Sequence, residues 1–261
     1  MAVTEESLRQ PLARPAVEVL RQIHRWIALV LVLFITTIGI TGSILQTILM
    51  LYGDGPPGSN PNMPAWVAAL RQIVVKIHTG FIIGVPGAYY GLICGLGLLF
   101  FSISGAWMYL TLYRSRAQLG RKAMFWPTRV GADAAVRSLH RWFTVGLVLF
   151  TTFISFTGAS LDFDFARNNM IPGSGPRPGG GGPGGPGGPG GPCLERGPPP
   201  SGAGWHTLNF DVHKINFLGT FGHFLGIFVG LGLATMAISG FCMYLSMHAR
   251  RAKAGQKGLF W

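Results

Sequence analysis

The sequence predicts an all-α integral membrane protein: four transmembrane helices arranged as a duplicated two-helix unit, with short interfacial helices. Three observations carry this reading. Only 11% of the 261 residues are charged, against 49% hydrophobic, and the mean hydropathy is +0.39; a soluble domain carries about 25% charged residues. Four runs are apolar over the ~20 residues that a bilayer crossing needs. The pattern of the first two runs then recurs in the second two.

The first run is Trp26–Leu51. The segment before it mixes Glu5, Glu6 and Glu18 with Arg9, Arg14, Arg21 and Arg25, and has no short apolar core with a small-residue cleavage site. No cleavable signal is expected there, and the first run should stay in the membrane. The second run is Pro86–Tyr113, the third Trp142–Leu161 and the fourth Phe221–Met247. Two stretches of mixed polarity, Ala65–Gly84 and Thr207–Gly219, precede the second and fourth runs and read as short helices lying at the interface. Pro86 with Gly84 and Gly87, and Gly219 with Gly222, mark the breaks after them. Residues 172–202 are a Gly/Pro tract without strict G-x-y periodicity, so they read as a disordered spacer and not as collagen. Cys193 within it is a lone thiol.

The formal net charge of +12 sits in short segments between the apolar runs. This is a membrane distribution, and it argues against nucleic acid as a partner. Fifteen Lys and Arg lie in the N-terminal segment, the 113–141 loop and the C-terminal tail, against six on the other side. Both termini and the middle loop should therefore be cytoplasmic, in a multi-pass membrane protein. Cys94, Cys193 and Cys242 form neither a disulfide framework nor a zinc spacing, and there is no C-x-x-C-H for covalent haem attachment.

Leu20–Gln46 and Val136–Asp162 are identical at thirteen of 27 positions, including His24/His140, Arg25/Arg141, Trp26/Trp142, Thr41/Thr157 and Gly42/Gly158. The second halves align too: "ISGAWMYL" from Ile103 matches "ISGFCMYL" from Ile238, and His78 matches His213. The repeats divide the chain at 1–127 and 128–261. A unit with two spans inserts both copies the same way up, so a pseudo-two-fold along the membrane normal is expected. It would pair His24 with His140 at the cytoplasmic end and His78 with His213 at the outer end.

Two histidine pairs at two depths are what bis-histidine ligation of two b-type haems requires, one imidazole on each side of each iron. Gly42 and Gly158 each fall 18 residues after their histidine, five helical turns along the same face. Gly91/Gly95 and Gly226/Gly230 are G-x-x-x-G pairs that admit a neighbouring backbone or a flat porphyrin, with plain helix packing the commoner use. Purely structural histidines are the main alternative. Another metal fits poorly, because the spans contain no acidic residue between their ends; the same absence argues against an ion transporter. His223 is a further ligand candidate for the outer site, whereas His206 and His248 read as loop and interfacial residues. Asp162 and Asp164 end the third span, either as interfacial polar residues or as groups that place a cationic substrate. Trp26, Trp66, Trp142 and Trp205 fit aromatic belts.

The ordered set of these motifs resembles the PepSY-associated transmembrane helix family, which includes inner-membrane siderophore and ferric-iron reductases. The set comprises "HRW" with an apolar run ending in Thr41-Gly42 or Thr157-Gly158, and "IHTG" at Ile77 with a glycine-rich span closing in Ser104-Gly105 or Ser239-Gly240. The resemblance implies a four-helix core that binds two b-type haems through His24, His140, His78 and His213 and passes electrons across the membrane. It further implies a ferric chelate as substrate. The chain departs from the family pattern in having only about 53–64 where members carry a folded PepSY region. It also lacks a flavin or nicotinamide fingerprint, so its electron donor would be a membrane quinol or a separate reductase. A haem-free membrane adaptor and a cytochrome subunit of a larger complex are the competing functions.

Overall fold

In the computed structural model the described residues are 13–53, 61–83, 86–118, 120, 131–170, 209 and 211–255. Among them every regular element is helical. The long helices are α1 (Ala13–Tyr52), α3 (Pro86–Gln118), α4 (Ala132–Met170) and α5 (Gly219–Lys253), with the shorter α2 (Ala65–His78) between the first two. All four long helices are apolar and long enough to cross a membrane. The protein is therefore an all-α, multi-pass membrane protein.

Each long helix outruns the apolar stretch that defines it. At 1.5 Å per residue the 40 residues of α1 span ~60 Å, about twice the hydrocarbon thickness. Hydrogen bonding explains the excess: once nucleated, a helix continues through interfacial residues until a stop signal. For α1 the stop is Gly53, at φ +78°, whose N–H donates to Leu49 O at 2.8 Å. Pro86 opens α3, where its missing N–H is no loss. Arg250, Arg251 and Lys253 fill the last turn of α5, which suits the helix dipole.

The stretch expected as a helix from Ala65 to Gly84 divides into α2 and a 3-10 turn, Phe81–Ile83, on either side of Gly80. In its counterpart the described helical residues are 209 and 211–214, followed by a 3-10 turn, Asn216–Leu218. The Gly/Pro tract 172–202, Cys193, Trp205 and His206 lie outside the described residues.

The four long helices form a bundle in which α1 lies along α5 and α3 along α4, while α4 also meets α5 and α1 meets α3 more briefly. The most extensive contacts of each span are thus with a span from the other repeat. The core sits mid-bundle and draws on all four: Leu31 and Ile35 of α1, Leu98 of α3, Leu147 of α4, and Val229 and Leu233 of α5. Outward positions are apolar as well. Leu33 and Leu149, which correspond in the two repeats, are 75% and 69% exposed. Such side chains belong against lipid, which is as apolar as leucine, so packing inside the bundle cannot rest on hydrophobic transfer. It rests on close approach at small residues: a Cβ on Gly95 would meet Ala159 Cβ at 3.0 Å, and one on Gly230 would meet Gly39 O at 2.6 Å. Hydroxyls in the apolar helices donate back to their own turn, as Thr36 does to Val32 O at 2.7 Å.

Candidate functional site

The four repeated histidines all point their Nδ1 at an acceptor on another helix. His24 of α1 has Nδ1 2.7 Å from Ser104 Oγ of α3. His140 of α4 has Nδ1 3.0 Å from Ser239 Oγ and 3.1 Å from Met236 O, both of α5. His78, the last residue of α2, has Nδ1 2.9 Å from Thr41 Oγ1 of α1. His213 has Nδ1 3.2 Å from Ile154 O and 3.3 Å from Thr157 Oγ1, both of α4.

These partners assign the tautomers. A carbonyl oxygen only accepts, so Nδ1 of His140 and of His213 carries the hydrogen. Thr41 Oγ1 already donates to Thr37 O at 2.7 Å, and so accepts from His78 Nδ1–H. Ser104 Oγ donates to Phe101 O at 3.4 Å, which leaves its lone pairs to His24. Each imidazole is then a neutral ring with the proton on Nδ1 and the lone pair on Nε2. Ring nitrogens that hold a metal are typically oriented in this way, by a hydrogen bond from the other nitrogen.

His78 and His213 stand 6.5 Å apart between ring centroids, with planes at 53°. A metal–imidazole bond is ~2 Å and the ring centre lies ~1 Å behind the nitrogen, so two rings on one ion stand ~6 Å apart. At the other end, His24 lies within electrostatic range of His140 and packs against Phe101, with centroids 4.9 Å apart. The two levels are separated along α1 by the 17 residues from His24 to Thr41, or ~25 Å of helix.

Glycines make the room. A Cβ on Gly42 would come to 3.2 Å from His78 Cε1, and one on Gly158 to 2.9 Å from His213 Cε1. These two glycines lie on the same helix faces as His24 and His140, but what they accommodate is the imidazole of the other pair. Gly240 meets His140 Cε1 at 3.4 Å in the same way. The G-x-x-x-G residues Gly95 and Gly230 instead meet Ala159 and Gly39 of the packed helices.

His223 has Nδ1 2.9 Å from Gln46 Oε1. Asp162 is turned between α4 and α3, its carboxylate over Gly91 where a Cβ would otherwise be; the side chain of Asp164 lies outside the described residues. Among the described residues, no three His, Cys, Asp or Glu side chains group as a metal site. The donor set is thus one of imidazole pairs, which suits a planar macrocycle that fills the remaining positions itself. Sequence reasoning overlooked the roles of Thr41, Thr157, Ser104, Ser239 and Gln46. The first four were legible as duplicated hydroxyls, each one residue before a repeated glycine.

Burial, followed by the neighbouring His213, holds His78 down at about 4 from the usual 6.5, and burial lowers His213 as well. Both rings are therefore neutral when folded. A group whose folded value is depressed in this way is protonated only in the unfolded chain between the two values. Stability is then fully present above about pH 6.5 and is lost as pH falls towards about 4. The thermal midpoint of the purified protein should decline steadily over that window; a flat profile would mean that the two rings reach water.

Comparison with known proteins gives one match. The family model for the PepSY-associated TM region covers residues 57–246. No curated protein and no solved structure matches.

Proposed function

Because the chain belongs to the PepSY-associated TM family, we propose that it carries electrons across a bacterial inner membrane through two bis-histidine b-type haems and delivers them to ferric chelates on the outer face. One observation carries this reading: four histidines present the same tautomer, each locked from a neighbouring helix, with two of them 6.5 Å apart. Nε2 of His78 and His213 would hold the outer haem, and Nε2 of His24 and His140 the cytoplasmic one. When bound, haem supplies a one-electron couple at its iron, which the protein can tune but need not create. The chain's own work is to keep four imidazoles neutral and oriented. Thr41, Thr157, Ser104 and Ser239 do this by accepting the Nδ1 hydrogens. Anchoring the ligands on different helices also ties the bundle together at both levels. The recurrence of each contact at matching repeat positions supports a pseudo-two-fold relation between the copies.

The test is a dithionite-reduced minus oxidised spectrum of the detergent-purified protein, with extracted haem counted against protein. Two non-covalent b-type haems per chain are expected. None, after expression with ample haem, would overturn the reading and leave the haem-free adaptor. A second reading is favoured by the short connection between α1 and α2, only residues 53–64: a cytochrome subunit whose substrate site lies on a partner. Prompt reoxidation of the isolated reduced protein by ferric citrate favours the stand-alone reductase; reoxidation that needs membrane extract favours the subunit.

A further inference from the structure

The two turns that carry the outer histidines are built differently. In the first, His78-Thr79-Gly80, Gly80 takes φ +76°, which glycine adopts without steric cost. In the second, His213-Lys214-Ile215, the corresponding residue is Ile215, at φ +58°. It is the single non-glycine residue with positive φ among the described residues. For a β-branched side chain this conformation is a genuine outlier. Ile215 is buried, and its carbonyl oxygen lies where a Cβ on Gly222 would be, so the turn has no slack on that side.

A side chain from α1 meets this turn. Gln46 Nε2 donates to Lys214 O at 2.8 Å, and Gln46 Oε1 lies 2.9 Å from His223 Nδ1. The carbonyl of Lys214 can only accept, so the amide nitrogen faces it and the amide oxygen accepts from His223 Nδ1–H. Gly226 leaves the space, since a Cβ there would come to 2.8 Å from Gln46 Cγ. The other repeat has Asp162 at the place of Gln46 and Ala88 at the place of His223. The Asp162 side chain lies over Gly91 instead, and a turn with Gly80 needs no added hydrogen bond. Among the described residues, this bridge is found at the turn that lacks the glycine.

We propose that Gln46 is the positioning residue of the His213 turn: bridging Lys214 O and His223, it holds Ile215 in the left-handed conformation and so sets the direction of the His213 imidazole. The consequence for His213 as a ligand rests on the di-haem reading; the clamp itself does not. Gln46→Met has similar volume and neither donor nor acceptor. Amide hydrogen exchange in the full chain should quicken about fivefold or more over residues 211–218, the loss of one hydrogen bond at a local opening. Residues 76–83 of the other repeat should be unaffected, which makes them the internal control. In haem-loaded protein, the low-spin EPR signal of one haem should shift and the other should stay.

Unchanged exchange at 211–218, or equal quickening in both turns, would overturn the clamp. Faster exchange with both EPR signals unmoved would overturn the positioning role. If the parent protein holds no haem, the di-haem reading fails and the exchange arm alone decides the clamp. Should Gln46→Met fail to accumulate, His223→Phe removes the other anchor of the same amide; the same segment should loosen to a smaller degree, and no loosening would count against the proposal.

Discussion

Under the proposed di-haem function, replacing His78 by alanine should halve the haem content and abolish transmembrane reduction, while the remaining haem keeps its spectrum. The expectation follows from the geometry of His78 and His213, whose rings stand 6.5 Å apart. With one ring removed, the proposed site would keep a single imidazole donor. The pairing has a sharper signature in double variants, because residues that act as one unit are non-additive. His78→Ala with His213→Ala should lose no more haem than either alone. His78→Ala with His24→Ala should lose both, since those two residues serve different levels ~25 Å apart along α1. The measurement is extracted haem per chain, with a ferric high-spin signal marking any five-coordinate remnant. Retention of both haems in all four single alanine variants would refute the ligand assignment.

Gly230→Ala should destabilise the bundle by about 2 kcal/mol or more, whereas Gly146→Ala should be neutral or stabilising by up to ~1 kcal/mol. Both glycines lie inside transmembrane helices, and in both an alanine improves intrinsic helix propensity. They differ in what a methyl group would meet. At Gly230 it would come to 2.6 Å from Gly39 O, a backbone atom of α1 that cannot rotate away, and would press on Ser43 as well. The contact is reciprocal, because a Cβ on Gly39 would meet Gly230 O at 2.6 Å. Relief requires α1 and α5 to separate, which would also break the bond from Ser43 Oγ to Ile227 O at 3.1 Å. At Gly146 nothing lies within 4 Å of the added carbon. Thermal unfolding in one detergent compares the two variants, and opposite signs are expected. A neutral Gly230→Ala would mean that α1 and α5 are not in close backbone contact.

Much of the architecture was legible because it depends on short-range properties. Twenty apolar residues form a helix in lipid whatever lies beside them, since each backbone group must find its partner within the segment. The four spans therefore followed from Trp26–Leu51 and its three successors, and the helices overran them only where no glycine yet intervened. The candidate histidines were legible for a different reason: duplication repeated His24 and His78 at His140 and His213 in fixed register. What Gly42 and Gly158 accommodate was not legible. Helical periodicity placed them on the faces of His24 and His140, but which imidazole rests on them depends on where α2 and the 211–214 segment dock.

By itself, then, the sequence determined a four-span, all-α membrane protein with duplicated histidines and a family resemblance carried by ordered motifs. Only the tertiary structure decided that each span packs most closely on a span of the other repeat, and that the Nδ1 hydrogens go to Ser104, Ser239, Thr41 and Thr157. It also decided that Gln46 reaches Lys214, 168 residues away. The physical reason is one of range. Insertion and helix formation are settled within a segment, by transfer to lipid and bonds four residues apart. Imidazole orientation is settled by side chains that meet only after the helices have chosen their neighbours, and that choice rests on glycine contacts between segments far apart in the chain.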